Sequence, residues 1–135
     1  MTTAFDALLS YQRQSEALGR IAQRLGWDHE TVMPAASGDD RSEEMAALEG
    51  VMHARGSGAE LGDLLSAVDP YHLTGTERRM FDLIQTDFIR RQKVPRDLAV
   101  ALARITSKSH RAWTEAKAKD DVSIFLPMLS EVVNL

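Results

Sequence analysis

The chain has 135 residues, 44% hydrophobic and 27% charged, an ordinary globular mix that argues against a disordered tail or a membrane protein. Its 20 acidic and 16 basic residues give a formal charge of −4, which offers no basic face to nucleic acid. There is no cysteine, so disulfides, thiolate chemistry and a Cys-type zinc site are excluded, and a reducing compartment, the cytoplasm, is the expected location.

The length suits one domain, expected over residues 1–135. The N-terminus Met-Thr-Thr-Ala-Phe-Asp has neither a basic stretch nor an apolar core of a leader peptide, and no run approaches the roughly 18 apolar residues of a membrane span. No segment sustains period-two alternation, so the expected fold is all-α, a bundle of about five helices.

The first helix is predicted from about Thr3 to Leu25, with Phe5, Leu8, Leu9, Leu18, Ile21, Ala22 and Leu25 as its apolar stripe and Gly26 at its end. Trp27 to Pro34 reads as a structured turn or loop, because Pro34 disfavours helical geometry at Met33. A second helix is predicted from Asp39 or Asp40, carrying Met45, Leu48, Val51 and Met52 inward until Gly56-Ser57-Gly58 interrupts it.

A short amphipathic piece, Leu61, Leu64, Leu65 and Val68, precedes the breaker Asp69-Pro70. Thr74-Gly75-Thr76-Glu77 has the form of a capping box and opens a helix whose buried face is predicted at Met80, Leu83, Ile84 and Phe88. Pro95 suits the first turn of the next helix, which carries Leu98, Ala101, Leu102, Ile105, Ala112, Trp113 and Ala116 at helical spacing. Asp120 and Asp121 close it and cap a last helix, Val122 to Leu135, in which Pro127 is tolerable only within the first turn.

The four histidines, His29, His53, His72 and His110, are too far apart in sequence for a local helical metal pair. His29-Glu30 invites comparison with H-E-x-x-H, but Met33 occupies the fifth position and Pro34 follows. Long-range ligation stays open, although a solvent-facing or locally hydrogen-bonded histidine is the simpler reading. There is no G-x-S-x-G elbow and no Gly-rich phosphate loop, and Asp39-Asp40 and Glu43-Glu44 read as charges near a helix start. Trp113 reads as core. For Trp27, core packing and cleft lining are equally open.

Two stretches then look familiar together. Trp27-Asp28, Thr31, Met33-Pro34, Gly38 and Arg41 follow the pattern W-D-x-x-T-x-M-P-x-x-x-G-x-x-R, and Trp113, Ala116-Lys117, Asp121, Phe125, Pro127 and Leu129 follow W-x-x-A-R/K-x-x-x-D-x-x-x-F-x-P-x-L. In order and spacing they resemble the N-terminal part of carboxypeptidase Taq family metallocarboxypeptidases, with Lys117 where Arg is commoner and Val122 where an aromatic is usual.

The resemblance implies a longer, helical parent enzyme that removes C-terminal amino acids from peptides. Its zinc, or another divalent metal, would sit on an H-E-x-x-H motif beyond Leu135, leaving no cofactor and no catalytic residue in this chain. The implied partners are the remainder of the parent peptidase and its peptide substrates, with neither nucleic acid nor membrane. The segment would then cover or shape the active-site cleft, with Trp27, Asp28, Thr31, Met33 and Arg41 facing it or fixing the loop that does. A rigid interhelix turn held by Trp27 burial and an Asp28 hydrogen bond is the structural alternative for the same residues. A freestanding helical interaction module is the alternative for the whole chain. Without the parent's covering surface, self-association as a homo-oligomer through a helical face is expected.

Overall fold

The computed structural model describes residues 3–135, with Met1 and Thr2 outside them. Six α-helices account for most of this stretch: α1 (Ala4–Thr31), α2 (Gly38–Ser57), α3 (Ala59–Ala67), α4 (Gly75–Arg91), α5 (Arg96–Lys119) and α6 (Leu126–Val133). Single 3-10 turns at Ala35–Ser37, Pro70–His72 and Val122–Ile124 join some of them, and no strand occurs among the described residues. The all-α expectation holds, and the short amphipathic piece after Gly58 forms a helix in its own right.

The helix starts follow local chemistry. Thr3 caps α1 through a reciprocal box, its Oγ1 accepting from Asp6 N while Asp6 Oδ2 accepts from Thr3 N. Donation to Asp6 Oδ2 from Thr3 N, and also from the Thr3 hydroxyl at 2.8 Å, holds the exposed Asp6 carboxyl below the usual carboxylate range. Thr74 and Glu77 form the predicted box at α4. Asp69 and Asp121 each accept from the amide two residues on and start a 3-10 turn. Pro127 lies in the first turn of α6, where its missing amide is not needed, and Asp120 takes a left-handed conformation to end α5.

Several predictions change, among them the last helix, which starts at Leu126 after a 3-10 turn over Val122–Ile124 rather than at Val122, so that Pro127 falls in its first turn. α1 continues through Gly26 to Thr31, so Trp27, Asp28 and Thr31 are helical rather than on a loop. Gly26 keeps a right-handed conformation, and glycine lowers helix stability by only about 1 kcal/mol without stopping a helix. Pro34 acts where its ring clashes, at Met33, so the chain leaves the helix at Val32. The buried face of α4 centres on Phe81, with Ile84 and Phe88 half-buried and Met80 and Leu83 exposed. Trp113 is 50% exposed, its ring edge on Phe125 with centroids 5.4 Å apart, rather than in the core.

The apolar core lies at the N-terminal end of α1. Phe5, Leu8 and Tyr11 meet Leu61 and Leu65 of α3, Val68 and Phe81 of α4, and Leu8 is fully enclosed. Burying one such side chain stabilises the fold by about 1.5–3 kcal/mol. Further along α1, Leu18, Ala22 and Leu25 are half-buried and Ile21 is exposed.

A second layer is built on small residues. The buried positions of α2 are Ser42, Ala46, Gly50 and His53, instead of the larger Met45, Leu48, Val51 and Met52 predicted there. They face α5, the most extensive helix pairing in the chain. A Cβ at Gly50 would lie 3.0 Å from Arg96 Nη2, so this position has no room for a side chain without displacing that guanidinium. Contacts at both ends make the pair antiparallel: Ser42 Oγ donates to Ser107 Oγ at 3.4 Å, and His53 Nε2 donates to the Val94 carbonyl at 2.7 Å. α6 rests on α5 and buries no residue completely.

A Cβ at Gly26 would meet nothing within 4 Å. Gly26→Ala is therefore expected to stabilise the chain by about 0.5–1 kcal/mol, read as a higher midpoint in urea unfolding. A lower midpoint would restore the loop at this position.

Candidate functional site

Because α1 runs on to Thr31, Asp28 is presented from a helical turn directly opposite the start of α2. Arg41, in the first turns of α2, reaches back across the gap. Its Nη2 donates to Asp28 Oδ2 and its Nη1 to the Leu25 carbonyl, both at 2.5 Å, while Nε donates to Glu44 Oε2 at 2.8 Å. The Arg41 side chain is only 11% exposed. The hydrogen bond to Asp28, and after it that to Glu44, raises its pKa above the usual arginine value against the opposing effect of burial.

Asp28 has a second role through its backbone. Its carbonyl accepts from Val32 N at 3.1 Å and Met33 N at 2.9 Å, closing the last turn of α1. A cation seated at this end also complements the negative pole of the helix. Arg41 thus holds one helix end by a carboxylate and a carbonyl and is itself steadied within α2 by Glu44. Of the five candidate residues, the structure brings Asp28 and Arg41 into direct contact.

The other three lie around this pair. Trp27 is 64% exposed, so its burial does not hold the turn. Thr31 is one helical turn further on and shares that face, but its Oγ1 donates to the Trp27 carbonyl at 2.6 Å and is turned onto the helix. Met33 is half-buried where the helix ends. An open cleft of about 370 Å³ runs between α1, α2 and α4, with Gln12, Glu16, Glu49, Met52 and Asp87 among its lining, and none of the five candidates lines it.

Some participants had little or no sequence signal. Glu44 is the i+3 neighbour of Arg41 and was readable as such, whereas the Leu25 carbonyl was not. The failed zinc motif also has partners: His29 packs edge to face on His110 with centroids 4.7 Å apart, and Glu30 Oε2 lies 2.8 Å from His110 Nε2. These residues are some eighty positions apart, and no spacing rule joins them. His53 is buried, with Nε2 on Val94 and Ser57 Oγ within 3.3 Å of Nδ1, which makes it a structural tie between α2 and the segment before α5. Among the described residues no three His, Asp or Glu side chains converge so as to hold a metal ion, so they do not fit a resident zinc.

A helix stopped ahead of Met-Pro and tied to the next by Asp28 and Arg41 is the structural content of the first motif. The chain belongs to the carboxypeptidase Taq (M32) metallopeptidase family, whose model matches residues 7–135. It is 30% identical to thermostable carboxypeptidase 1 of Thermus thermophilus, over 98% of this chain and 27% of that protein. Thermostable carboxypeptidase 1 of Pyrococcus furiosus is also 30% identical, over 95% of this chain and 26% of its own length. The crystal structure of BsuCP superposes with a TM-score of 0.75 and 26% identity, covering 93% of this chain and 25% of that one. The chain therefore spans about a quarter of the length of the relatives it matches.

Replacing Arg41 by Lys keeps the charge and loses the planar fork that reaches three acceptors at once. Arg41→Lys is expected to destabilise the chain by about 1–2 kcal/mol, discounted for the part-exposed Asp28. Thermal unfolding followed by circular dichroism checks this, and a melting temperature equal to that of the parent sequence would contradict it.

Proposed function

We propose that this chain is the N-terminal helical region of a metallocarboxypeptidase that removes C-terminal amino acids from peptides. In this reading residues 1–135 form one unit that walls or covers the active-site cleft and is inactive alone. The zinc, or another divalent metal, and the groups that activate water belong to the rest of the polypeptide. The family match over residues 7–135, combined with coverage of only a quarter of each relative, carries the reading.

The fixed α1 to α2 turn supports a role for the motif. Asp28 and Arg41 hold the turn, and Trp27, on the exposed face of the helix they secure, is the residue proposed to meet substrate or the facing cleft wall. An aromatic on a rigid helix end is a low-entropy contact for a peptide. The same reading accounts for Trp113, Leu126 and Leu129, half-exposed apolar side chains that a facing part of the same polypeptide would cover. In isolation this surface is proposed to drive self-association. No helix among the described residues is long and apolar enough to cross a membrane, and the lack of cysteine suits the cytoplasm.

The coding sequence beyond Leu135 is expected to contain H-E-x-x-H, and a stop codon there would favour the freestanding interaction module. In the enzyme so encoded, Trp27→Ala is expected to lower kcat/KM for peptide substrates on the order of tenfold with unchanged metal content. Unaltered kinetics would remove Trp27 from the cleft.

A further inference from the structure

The end of α1 that carries Trp27 and Thr31 has a second attachment besides Arg41. His29 meets His110 of α5 edge to face, with ring centroids 4.7 Å apart and planes at 78°. His110 Nε2 lies 2.8 Å from Glu30 Oε2, and the His110 side chain is 33% exposed. α1 and α5 share no extensive packing elsewhere, since α2 lies between them. The contact between this helix end and α5 therefore rests on His29, Glu30 and His110.

The charged groups around His29 are few. Glu30 and Asp28 come from its own helix, Arg41 from α2 and His110 from α5. Asp28 is engaged by Arg41, and Glu30 by His110. With both imidazoles protonated, one carboxylate would face two cations in ring contact, with the Arg41 guanidinium nearby.

We propose that His29 and His110 form a proton-sensitive latch, closed while His29 is neutral and opened when both rings are charged, which frees the Trp27 end of α1 from α5 and leaves it held on α2, where Arg41 binds Asp28 and the Leu25 carbonyl. Burial first, then His110 and more weakly Arg41, hold the His29 imidazole below the usual histidine range, with Glu30 and Asp28 pulling the other way. The sign follows from the lowered value. Between the folded value and the unfolded one of about 6.5, the unfolded chain binds more protons, so the latch's contribution is complete above that pH and is lost on acidification. Its existence is a property of these side chains. Only its consequence, regulation of how the cleft wall sits, rests on the proposed function.

The test uses the 135-residue chain with labelled histidines, titrated by NMR from pH 8 to 5, with hydrogen exchange at residues 27–31 corrected for intrinsic rate. In the parent sequence the exchange protection of these amides is expected to fall about tenfold as His29 protonates, while α4 keeps its protection. In His110→Phe, which keeps a ring edge and removes the charge, the His29 midpoint is expected to rise by about half a pH unit and the loss of protection to shrink below about twofold. His110→Gln serves if the Phe variant does not fold. An unchanged His29 midpoint in the variant, or amides 27–31 that stay protected at pH 5 with both histidines charged, would overturn the latch. Neither readout involves peptide hydrolysis, so failure here is distinct from failure of the carboxypeptidase reading.

Discussion

The hold of Arg41 on the end of α1 is the constraint from which the rest of the arrangement follows. A helix of 28 residues that stops just before Met-Pro has many ways to leave its last turn. Two donors of one guanidinium, held in place by a third bond to Glu44 within α2, select the one that brings α2 back antiparallel. At the opposite end of the same pair Arg55 repeats the device. Its guanidinium lies 3.9 Å from the Tyr11 ring centroid and donates to Ser15 Oγ and the Tyr11 carbonyl, while Tyr11 Oη donates to the Arg55 carbonyl. Two arginines of α2, fourteen residues apart, thus pin it to α1 at both ends.

Pinning by side-chain forks leaves the inner face of α2 free for α5. The face that α2 turns there, Ser42, Ala46, Gly50 and His53, has little apolar area to bury, and its contribution comes from close approach and satisfied polar groups. Ser42 and His53 both have partners, and no buried side-chain nitrogen or oxygen among the described residues lacks one. Glu43 and Arg104 add a two-bond fork at the exposed rim, where solvent screens the pair and leaves it little weight. The large apolar core is confined to α1, α3 and α4, and α6 stays half-exposed. That unevenness fits a piece whose remaining surface is completed by other parts of a longer polypeptide, as proposed for the carboxypeptidase.

Much of the fold was legible where local chemistry decides it. The boxes and turns at Thr74, Asp69 and Asp121, and Pro127 in a first turn, are set by groups within a few residues, which a sequence displays directly. The end of α1 was not legible, because Gly26 has two meanings. It stops a helix only when it takes a left-handed conformation, and here the long-range bonds of Arg41 keep the helix going past it. The inner faces of α2 and α4 were misjudged for a related reason: periodicity marks the most apolar stripe, while close helix packing selected the smallest on α2 and Phe81 on α4. For the candidate site the motif named five residues, of which Asp28 and Arg41 meet. It could not say that Asp28 and Arg41 hold the turn while Trp27 faces outward, nor that His110 would arrive from α5.

The central claim is that the Asp28 to Arg41 bond closes α1 onto α2, and a double-mutant cycle with Asp28→Asn and Arg41→Gln measures it most directly. The account predicts that the two substitutions together destabilise the chain by less than the sum of each alone, with a coupling of about 1 kcal/mol or more in urea unfolding. Strictly additive effects would contradict it and leave the turn to be held by other contacts.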